Sequence, residues 1–362
     1  MKKMLLIILI FIIITPFNTI ALTDSSRASI VMDIDSGRIL YQRNSNSSML
    51  IASTTKIMTF LVTMEYARDK LSNKVKVGEE ILKTYGTSMY LSIGESIKIE
   101  DLLYGLILRS GNDASVVLAK NVAGSIDNFI YLMNIKANDI GLVNTIYKNP
   151  HGLDEETKNY STAYDLAVLT RYLYQKYPLY RKISGTKYYN FKTDLKSYSL
   201  INRSKIIFNY KNITTAKTGY TPLAGKSLVT TASNNDLNLL IVTLNNPNHY
   251  KDQENMYEYF FKNYHNYKIL DKNNFKVANN VFQSDYLIKN NFSYPLTKNE
   301  FLKLERKIVL KNEKDVIGSV QIILNNNIIH EELIYKKEWT NEKENIFKKL
   351  KKFFKKNFKK ED

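Results

Sequence analysis

The chain has 362 residues, of which 44% are hydrophobic and 24% are charged, which is typical of a folded protein of about two domains and excludes a disordered chain. The absence of cysteine excludes disulfides, thiolate metal sites and a cysteine nucleophile. The net charge of +17 suits a partner rich in phosphate or carboxylate, but eight lysines between Lys348 and Lys360 dominate it, so a basic face on the folded body does not follow.

The N-terminus has the layout of a secretory signal peptide. Lys2 and Lys3 precede an unbroken apolar run from Met4 to Ile14, and small residues around Ala21 suit cleavage. An uncleaved membrane anchor is the alternative, but the apolar run is short for a bilayer that needs about 20 residues. We therefore predict that residues 1–21 are removed after export.

Residues 22–264 are predicted to form one mixed domain. Ser29–Asp33 and Gly37–Tyr41 indicate two strands joined by a turn, because short β-rich runs flank an Asp-Ser-Gly sequence. Ile57–Ala67 and Asp101–Leu108 keep apolar residues at helical spacing, and Leu237–Leu244 is an apolar run of strand length. This order predicts an α+β domain whose sheet combines strands from both ends.

Residues 265–338 are predicted to form a small all-β domain. Short alternating runs such as Lys307–Leu310 indicate strands. Val316–Leu324 and Ile328–Ile334 flank three asparagines, Asn325–Asn327, and this arrangement predicts a hairpin.

Residues 339–362 are predicted to form an amphipathic helix. At roughly 100° per residue, one arc of roughly 140° holds the apolar side chains, and the lysines occupy the other side. The apolar residues are Trp339, Ile346, Phe347, Leu350, Phe353, Phe354 and Phe358. Aromatic residues opposite lysines describe a helix that lies in the interface of an anionic membrane. A solvated charge run or a core helix is the alternative.

The first motif with catalytic chemistry is Ser53-Thr-Thr-Lys56. The pattern is weak alone, because Ser184-Gly-Thr-Lys187 also matches it. The first copy opens a predicted helix, where a spacing of three places the amine one turn from the hydroxyl. A serine needs a base to become a nucleophile, and a lysine can be that base only if its pKa falls towards neutrality.

Two further motifs complete a set. Ser110-Gly-Asn112 follows Ser53 by about 57 residues, and Lys217-Thr-Gly219 lies about 105 residues further on. We predict that Lys217 lies on an edge strand, at the rim of a cleft, where its ammonium could lower the pKa of Lys56 or hold a substrate carboxylate. Gly219 would let a peptide backbone approach closely. The specificity lies in the order and spacing, which match the three penicillin-binding signatures.

With these motifs the chain resembles the low-molecular-mass penicillin-binding proteins of the D-alanyl-D-alanine carboxypeptidase family from Ser29 to about Tyr250. The resemblance implies a β-lactamase/transpeptidase-like catalytic domain, with an antiparallel sheet flanked by helices, followed by a small β-rich domain and a C-terminal anchor. The segments that carry it are Ala52–Thr59, Gly94-Glu95, Asp101–Leu106, Ser110–Ala114, Asn149–Leu153, Ser161–Ala167 and Lys217–Thr221.

The resemblance also implies roles for single residues. Ser53 would be the acylated nucleophile, Lys56 the general base and Ser110 a proton relay. Asn112 would hold the substrate backbone, and Lys217 with Thr218 would bind its carboxylate. The oxyanion hole would be formed by the backbone N–H groups of Ser53 and Tyr220. The expected ligands are peptidoglycan pentapeptides and β-lactam antibiotics, and the expected location is the periplasm, with peripheral attachment to the cytoplasmic membrane.

Some features depart from the pattern. The family often has an Asp-Gly pair before the Lys-Thr-Gly strand, whereas this chain has Thr214-Thr-Ala216, so the approach to that strand is left open. The four histidines lack metal-ligand spacing, and His151 is expected to be structural or at the surface. We therefore predict no metal, no cofactor and no nucleic-acid partner.

Three other functions share some of these features. A class A β-lactamase needs a glutamate that activates water, and the surroundings of Glu155 and Glu156 do not match its loop. A D,D-endopeptidase shares the motifs, but such enzymes usually lack the added β-domain and the anchor. A catalytically silent peptide-binding scaffold would not need all the catalytic residue types that are present. The sequence therefore favours a serine-type D-Ala-D-Ala carboxypeptidase of cell-wall biogenesis, with the endopeptidase as the alternative.

Overall fold

The computed structural model describes residues 22–276, 286–310 and 316–336. The chain divides into two compact units, with the boundary between Lys262 and Asn263. The predicted signal peptide, residues 1–21, and the predicted amphipathic helix, residues 339–362, lie outside the described residues. Within the three described ranges, no helix is long and apolar enough to span a bilayer.

The first unit is built on an antiparallel sheet of five strands in the order β2-β1-β11-β10-β9, and the other strands pair two by two, β3 with β6, β4 with β5 and β7 with β8. The strands are β1 (Ala28–Asp33), β2 (Ile39–Arg43), β3 (Met49–Leu50), β4 (Lys74–Lys76), β5 (Ser96–Lys98), β6 (Tyr160–Ser161), β7 (Tyr188–Lys192), β8 (Ser197–Ile201), β9 (Ile213–Thr221), β10 (Gly225–Asn234) and β11 (Leu237–Leu244). The main sheet thus combines both ends of the unit, as predicted, and β9 is its edge.

Helices flank this sheet, some against its strands and others against further helices. The helices of this unit are α1 (Lys56–Ala67), α2 (Ile99–Tyr104), α3 (Asn112–Ala123), α4 (Ile126–Asp139), α5 (Ala163–Lys176), α6 (Pro178–Gly185), α7 (Ile206–Asn209) and α8 (His249–Asn263). Helix α5 packs on β1 and β11. On the other face, the buried Gln253 of α8 donates to the carbonyl oxygen of Leu228 (2.9 Å) and to the hydroxyl of Thr243 (3.0 Å). Helices can pack on both faces because successive side chains of a strand point to opposite faces of the sheet.

Helix α1 is apolar on nearly every side and forms the centre of the core. Ile57, Phe60 and Leu61 are fully buried, and the helix packs against α3, α4 and α5. A helix with this pattern must be enclosed by protein. Its polar Thr59 donates a hydrogen bond to the carbonyl oxygen of Pro150 (2.6 Å), which fixes a loop beside the start of the helix.

The second unit consists mainly of strands. Its elements are β12 (His265–Leu270), β13 (Tyr286–Ile288), β14 (Phe292–Leu296), α9 (Lys298–Leu302), β15 (Glu305–Leu310), β16 (Val316–Leu324) and β17 (Asn327–Lys336). Strands β13, β17, β16 and β15 form one antiparallel sheet, and β12 pairs with β14. Buried side chains such as Leu296, Ile322 and Ile334 form its core. The second unit is therefore a small β-rich body, as predicted from the sequence.

The predicted elements are largely confirmed, with three differences. Strand β2 begins at Ile39 and not at Gly37, because Gly37, with φ 77°, is still part of a turn in which its amide donates to the carbonyl oxygen of Asp33 (2.9 Å). The predicted helix at 101–108 begins within α2 but continues from Gly105 to Arg109 as a π-helical turn. The predicted hairpin turns on two left-handed residues, Asn325 and Asn326, so Asn327 already belongs to β17.

Candidate active site

Ser53 lies at the entrance of the buried helix α1. It belongs to a single 3-10 turn, Ala52–Thr55, that continues directly into α1. Ala52 has φ 44°, an uncommon left-handed conformation for a residue with a Cβ. The backbone of Gly152 packs against this residue so closely that a Cβ there would lie 1.9 Å from the carbonyl oxygen of Ala52. A strained backbone, held by its neighbours, thus presents the Ser53 hydroxyl.

Lys56 is fully buried and its amine meets three acceptors. Nζ lies 3.0 Å from Oγ of Ser53, 2.7 Å from Oδ1 of Asn112 and 2.6 Å from the carbonyl oxygen of His151. A neutral amine has two N–H donors and one lone pair, so Asn112 and His151 can take the donors and leave the lone pair for the Ser53 hydroxyl. This geometry suits a base.

The charge state of Lys56 follows from its surroundings. Burial, and then the positive charge of Lys217, hold its pKa well below the ordinary lysine value, while Asp113 acts in the opposite direction. The described residues include no carboxylate within ion-pair distance of this amine. Both burial and the neighbouring charge therefore favour the neutral form of the Lys56 amine.

The second motif follows an irregular turn. After the π-helical turn, Ser110 has φ 58°, and Asn112 then begins α3. Nδ2 of Asn112 donates to the carbonyl oxygen of Tyr85 (2.6 Å), which orients Oδ1 towards Lys56. Oγ of Ser110 accepts a hydrogen bond from Nζ of Lys217 (2.9 Å), so the second and third motifs are in contact.

Lys217 lies on the edge strand β9, as predicted, but its predicted position at the rim of the cleft was wrong. Only 1% of the residue is exposed, because its amine turns inward to Ser110 and to the carbonyl oxygen of Thr218 (2.6 Å). Burial first, and then the charge of Arg203, lower its pKa to about 7. Of the neighbours on the strand, Thr218 is partly exposed and Tyr220 is 64% exposed.

Gly219 brings β9 against the turn that carries Ser53. A Cβ at this position would lie 3.0 Å from the carbonyl oxygen of Ile51 and 3.2 Å from the amide nitrogen of Ser53. A side chain would therefore crowd the backbone of the catalytic turn, and a glycine allows this approach. The departure at Thr214–Ala216 does not interrupt the strand, which begins at Ile213.

Residues to which the sequence analysis assigned no role in the site complete it. The loop Asn149–Leu153 provides the carbonyl oxygen of His151 for Lys56, and Asn159 ties Asn149 to Thr55 through its side-chain amide (3.0 Å to each). His151 itself is neutral, since burial and then Lys56 lower its pKa to about 3. The only available signal was the polar segment Asn-Pro-His-Gly-Leu, because contacts of a backbone carbonyl leave no trace in residue type.

Buried Asp113 fixes the loop beside the second motif. Its carboxylate accepts hydrogen bonds from the amides of Met89 (3.0 Å) and Leu91 (3.1 Å) and from the hydroxyl of Ser88 (2.5 Å). The adjacent Thr87 donates to the carbonyl oxygen of Ser110 (2.7 Å). This loop therefore supports the backbone of Ser110.

The chance copy of the first motif does not form a site. Ser184 is fully buried and donates to the carbonyl oxygen of Ala216 (3.2 Å), whereas the exposed Lys187 places its amine over the ring of Phe208 (5.7 Å). Glu155 and Glu156 are exposed. Within the described ranges, no group of three histidines, cysteines or acids could hold a metal ion.

The comparisons with known proteins agree with this geometry. Residues 16–248 match the model of a family described as D-alanyl-D-alanine carboxypeptidase. The chain is 36% identical to D-alanyl-D-alanine carboxypeptidase DacF of Bacillus subtilis, with 67% of this chain and 66% of the relative aligned. It is 37% identical to D-alanyl-D-alanine carboxypeptidase DacC of Escherichia coli, with 60% of this chain and 56% of that relative aligned. The chain thus spans somewhat less than two thirds of these relatives.

Solved structures share the fold. Penicillin binding protein 5 from Haemophilus influenzae superposes with a TM-score of 0.72 at 25% identity, over 86% of this chain and 96% of that one. The D-alanyl-D-alanine carboxypeptidase DacD from Francisella tularensis superposes with a TM-score of 0.71 over 88% of this chain and 94% of that one. The fold is therefore the predicted transpeptidase-like α+β architecture, extended by a β-rich unit.

The depressed pKa of Lys217 predicts a pH-dependent stability. Between about pH 7 and the unfolded lysine pKa of about 10.4, the unfolded chain binds more protons than the folded one, so the free energy of unfolding rises with pH. We expect the free energy of unfolding of the wild type, minus that of Lys217→Met, to rise over this range by up to about 1.4 kcal/mol for each pH unit. Denaturant titrations at several pH values measure it.

Lys211→Met, at an exposed lysine just before the same strand, is the matched control. Its stability curve should run parallel to that of the wild type. A parallel curve for Lys217→Met as well would contradict the depressed pKa.

Proposed function

Because the chain belongs to the D-alanyl-D-alanine carboxypeptidase family, we propose that it is a serine-type D-Ala-D-Ala carboxypeptidase that removes the terminal D-alanine from peptidoglycan stem peptides. One observation carries the proposal: the buried amine of Lys56 lies 3.0 Å from the Ser53 hydroxyl, and two carbonyl oxygens take its N–H groups. An activated serine of this kind suits acyl transfer.

In the proposed first step, Oγ of Ser53 attacks the carbonyl carbon of the penultimate D-alanine while Lys56 accepts the hydroxyl proton. The C–N bond of the tetrahedral intermediate then breaks, and the proton that Lys56 accepted passes through Ser110 to the nitrogen of the departing D-alanine, which leaves Lys56 neutral again. The contact between Ser110 and the Lys217 amine supports this relay. Because Lys217 donates a hydrogen bond to Oγ of Ser110, the hydroxyl proton of Ser110 must point away from Lys217. The product is an ester of the shortened peptide on Ser53.

Charged and polar groups around the bond would hold the substrate. Lys217 and Thr218 bind the terminal carboxylate, and the pKa of Lys217 rises when that anion arrives, which restores its ammonium. The nearby cation of Arg203 adds to the positive field. The backbone N–H groups of Ser53 and Tyr220 stabilise the oxyanion, and the close approach at Gly219 supports this arrangement. Asn112 contacts the peptide backbone.

Hydrolysis of the ester completes the cycle. Water attacks the acyl carbon, Lys56 takes a proton from it, and the shortened peptide leaves as Ser53 regains its own proton. β-Lactam antibiotics are proposed to acylate the same serine and to inhibit the enzyme. No cofactor enters any of these steps.

A D,D-endopeptidase is the second candidate. The D-alanyl-D-alanine endopeptidase of Pseudomonas aeruginosa is 33% identical over 226 residues, which cover 60% of this chain and 71% of that protein. The same nucleophile would then cut cross-links. The second, β-rich unit favours the carboxypeptidase, since the solved structure named D-alanyl-D-alanine carboxypeptidase DacD aligns with 88% of this chain.

We also propose that the enzyme is exported and then attached to a membrane surface. Residues 1–21 would direct secretion to the periplasm. The aromatic and basic residues of 339–362 would bind the anionic surface of the cytoplasmic membrane as an interfacial helix.

The nucleophile can be identified by acylation. We expect penicillin to form a covalent adduct on Ser53, and Ser53→Ala to lose both the adduct and the release of D-alanine from a pentapeptide. Mass spectrometry of the labelled peptides and a D-alanine assay measure these. Ser184→Ala, at the buried chance copy of the motif, is the control and should label normally. Labelling that persists in Ser53→Ala would refute the assignment.

The proposed membrane binding of the C-terminal tail, residues 339–362, can be tested with vesicles. Each lysine near an anionic surface contributes about 1 kcal/mol, which salt screens, whereas each fully buried Phe or Leu contributes roughly 1.5–3 kcal/mol, which salt does not remove. We expect full-length protein to sediment with anionic vesicles, less strongly at high salt. Deletion of residues 339–362 should release a soluble enzyme that still cleaves small peptides.

The matched arms are full-length and truncated protein at two salt concentrations. Equal sedimentation of both proteins would show that the tail is not the anchor, and complete release by salt would show that the aromatic residues do not insert.

A further inference from the structure

A buried acid that the proposed reaction does not use follows the second motif directly. Asp113 is the second residue of α3 and is only 3% exposed. Besides the hydroxyl of Ser88 and the amides of Met89 and Leu91, its carboxylate accepts a hydrogen bond from the amide of Ala114 (2.8 Å). Because backbone amides can only donate, these contacts suit the ionised acid. A negative charge is therefore buried at the start of α3, where the helix dipole favours it.

The segment that this acid binds is joined to the second motif at three further points. The backbone amide of Asn112 donates to the carbonyl oxygen of Thr87 (2.8 Å), and the hydroxyl of Thr87 donates to the carbonyl oxygen of Ser110 (2.7 Å). Nδ2 of Asn112 donates to the carbonyl oxygen of Tyr85 (2.6 Å), and Oδ1 of the same amide accepts from Lys56 (2.7 Å). The acid thus supports the side chain that contacts the proposed base.

The charge of Asp113 has no close cationic partner. In the described part of the chain, no lysine or arginine lies within ion-pair distance of its carboxylate. Its field nevertheless reaches Lys56: burial first, and then Lys217, lower the pKa of that amine, and Asp113 raises it. A general base works best when its pKa lies near the working pH, so an influence that opposes two others strengthens this base.

The other titratable groups near the base provide no comparable anion. Lys217 is an amine, and the ring of His151 is neutral, because burial first and then Lys56 lower its pKa to about 3. Glu95, behind the segment that the acid binds, lies 3.7 Å from the ammonium of Lys196. Charged groups at the other end of α1 pair with one another, namely Glu65, Lys136 and Lys176. The acid at the start of α3 is therefore the anion that acts on the base.

We propose that Asp113 is a positioning residue for the acylation step. It holds Asn112 in place, and its negative charge keeps Lys56 strong enough as a base to take the proton of Ser53. The inference rests on the proposed carboxypeptidase function. Asp113 acts through Asn112 and through its electrostatic field, and it exchanges no proton with the substrate.

The titration of Lys56 tests the proposal on the full-length protein, with lysines labelled with ¹³C at Cε and the resonance assigned by NMR with Lys56→Arg. Asp113→Asn removes the charge and nearly keeps the shape. The Lys56 resonance should titrate at a lower pH in this variant than in the wild type, because the charge that favours the ammonium is gone. Penicillin should also acylate the variant several-fold more slowly, since a weaker base takes the serine proton less readily.

The sign of the shift separates this role from a merely structural one. A loosened segment would admit water to Lys56, relieve its burial and move its titration to higher pH. That result, or no shift at all, would overturn the proposal. Ser88→Ala removes one donor to the carboxylate but keeps the charge, so it should leave the titration in place. An equal downward shift in Ser88→Ala would contradict the role of the charge.

Asp127→Asn is the matched control. Asp127 is exposed and is the second residue of α4, as Asp113 is of α3, so this variant should titrate and acylate like the wild type. If Asp113→Asn does not fold, the wild type decides: the carboxyl ¹³C resonance of Asp113 should show a step at the pH where Lys56 titrates, and its absence would overturn the proposal. A wild type that releases no D-alanine would contradict the proposed function, whatever the titration shows.

Discussion

Two buried lysine amines, Lys56 and Lys217, impose the constraint on which the rest of the site depends. Moving an ammonium from water into protein is costly unless a carboxylate pairs with it, and none in the described ranges lies within ion-pair distance of either amine. The surroundings instead offer neutral oxygen acceptors, which suit an uncharged amine. These surroundings suit the proposed role of Lys56 as a base, and they leave Lys217 with a pKa of about 7, where the proposed anionic substrate could restore its charge.

The core keeps these amines in place. Helix α1 is enclosed on nearly every side, so the first residue of the helix, Lys56, is fixed with it. Thr59 and Asn159 hold the Asn149–Leu153 loop by hydrogen bonds, and the backbone of Gly152 packs closely against the strained Ala52. Because each support is a hydrogen bond or a close backbone contact, the catalytic groups keep their geometry without help from the substrate.

Much of this could be predicted from the sequence. Residue type and spacing singled out Ser53, Lys56, Asn112 and Lys217. The structure brings Lys56 into contact with Ser53 and Asn112, and Lys217 into contact with Ser110. Helix and strand periodicity indicated α1, β1 and β11. The burial of Lys217 could not be predicted, since an edge strand exposes or buries a side chain according to the neighbour that covers it, here Ser110.

Two features of the backbone could not be predicted from the sequence either. The carbonyl oxygen of His151 and the π-helical turn before Ser110 have no signature in residue type.

The proposed chemistry depends above all on Lys56 being a neutral amine at neutral pH in the free enzyme. A titration of lysine side chains labelled with ¹³C at Cε, followed by NMR and assigned with Lys56→Arg, measures its charge state directly. We expect the resonance assigned to Lys56 to titrate well below the ordinary lysine pKa. A Lys56 resonance that titrates near about 10.4, like an exposed lysine, would contradict this charge state.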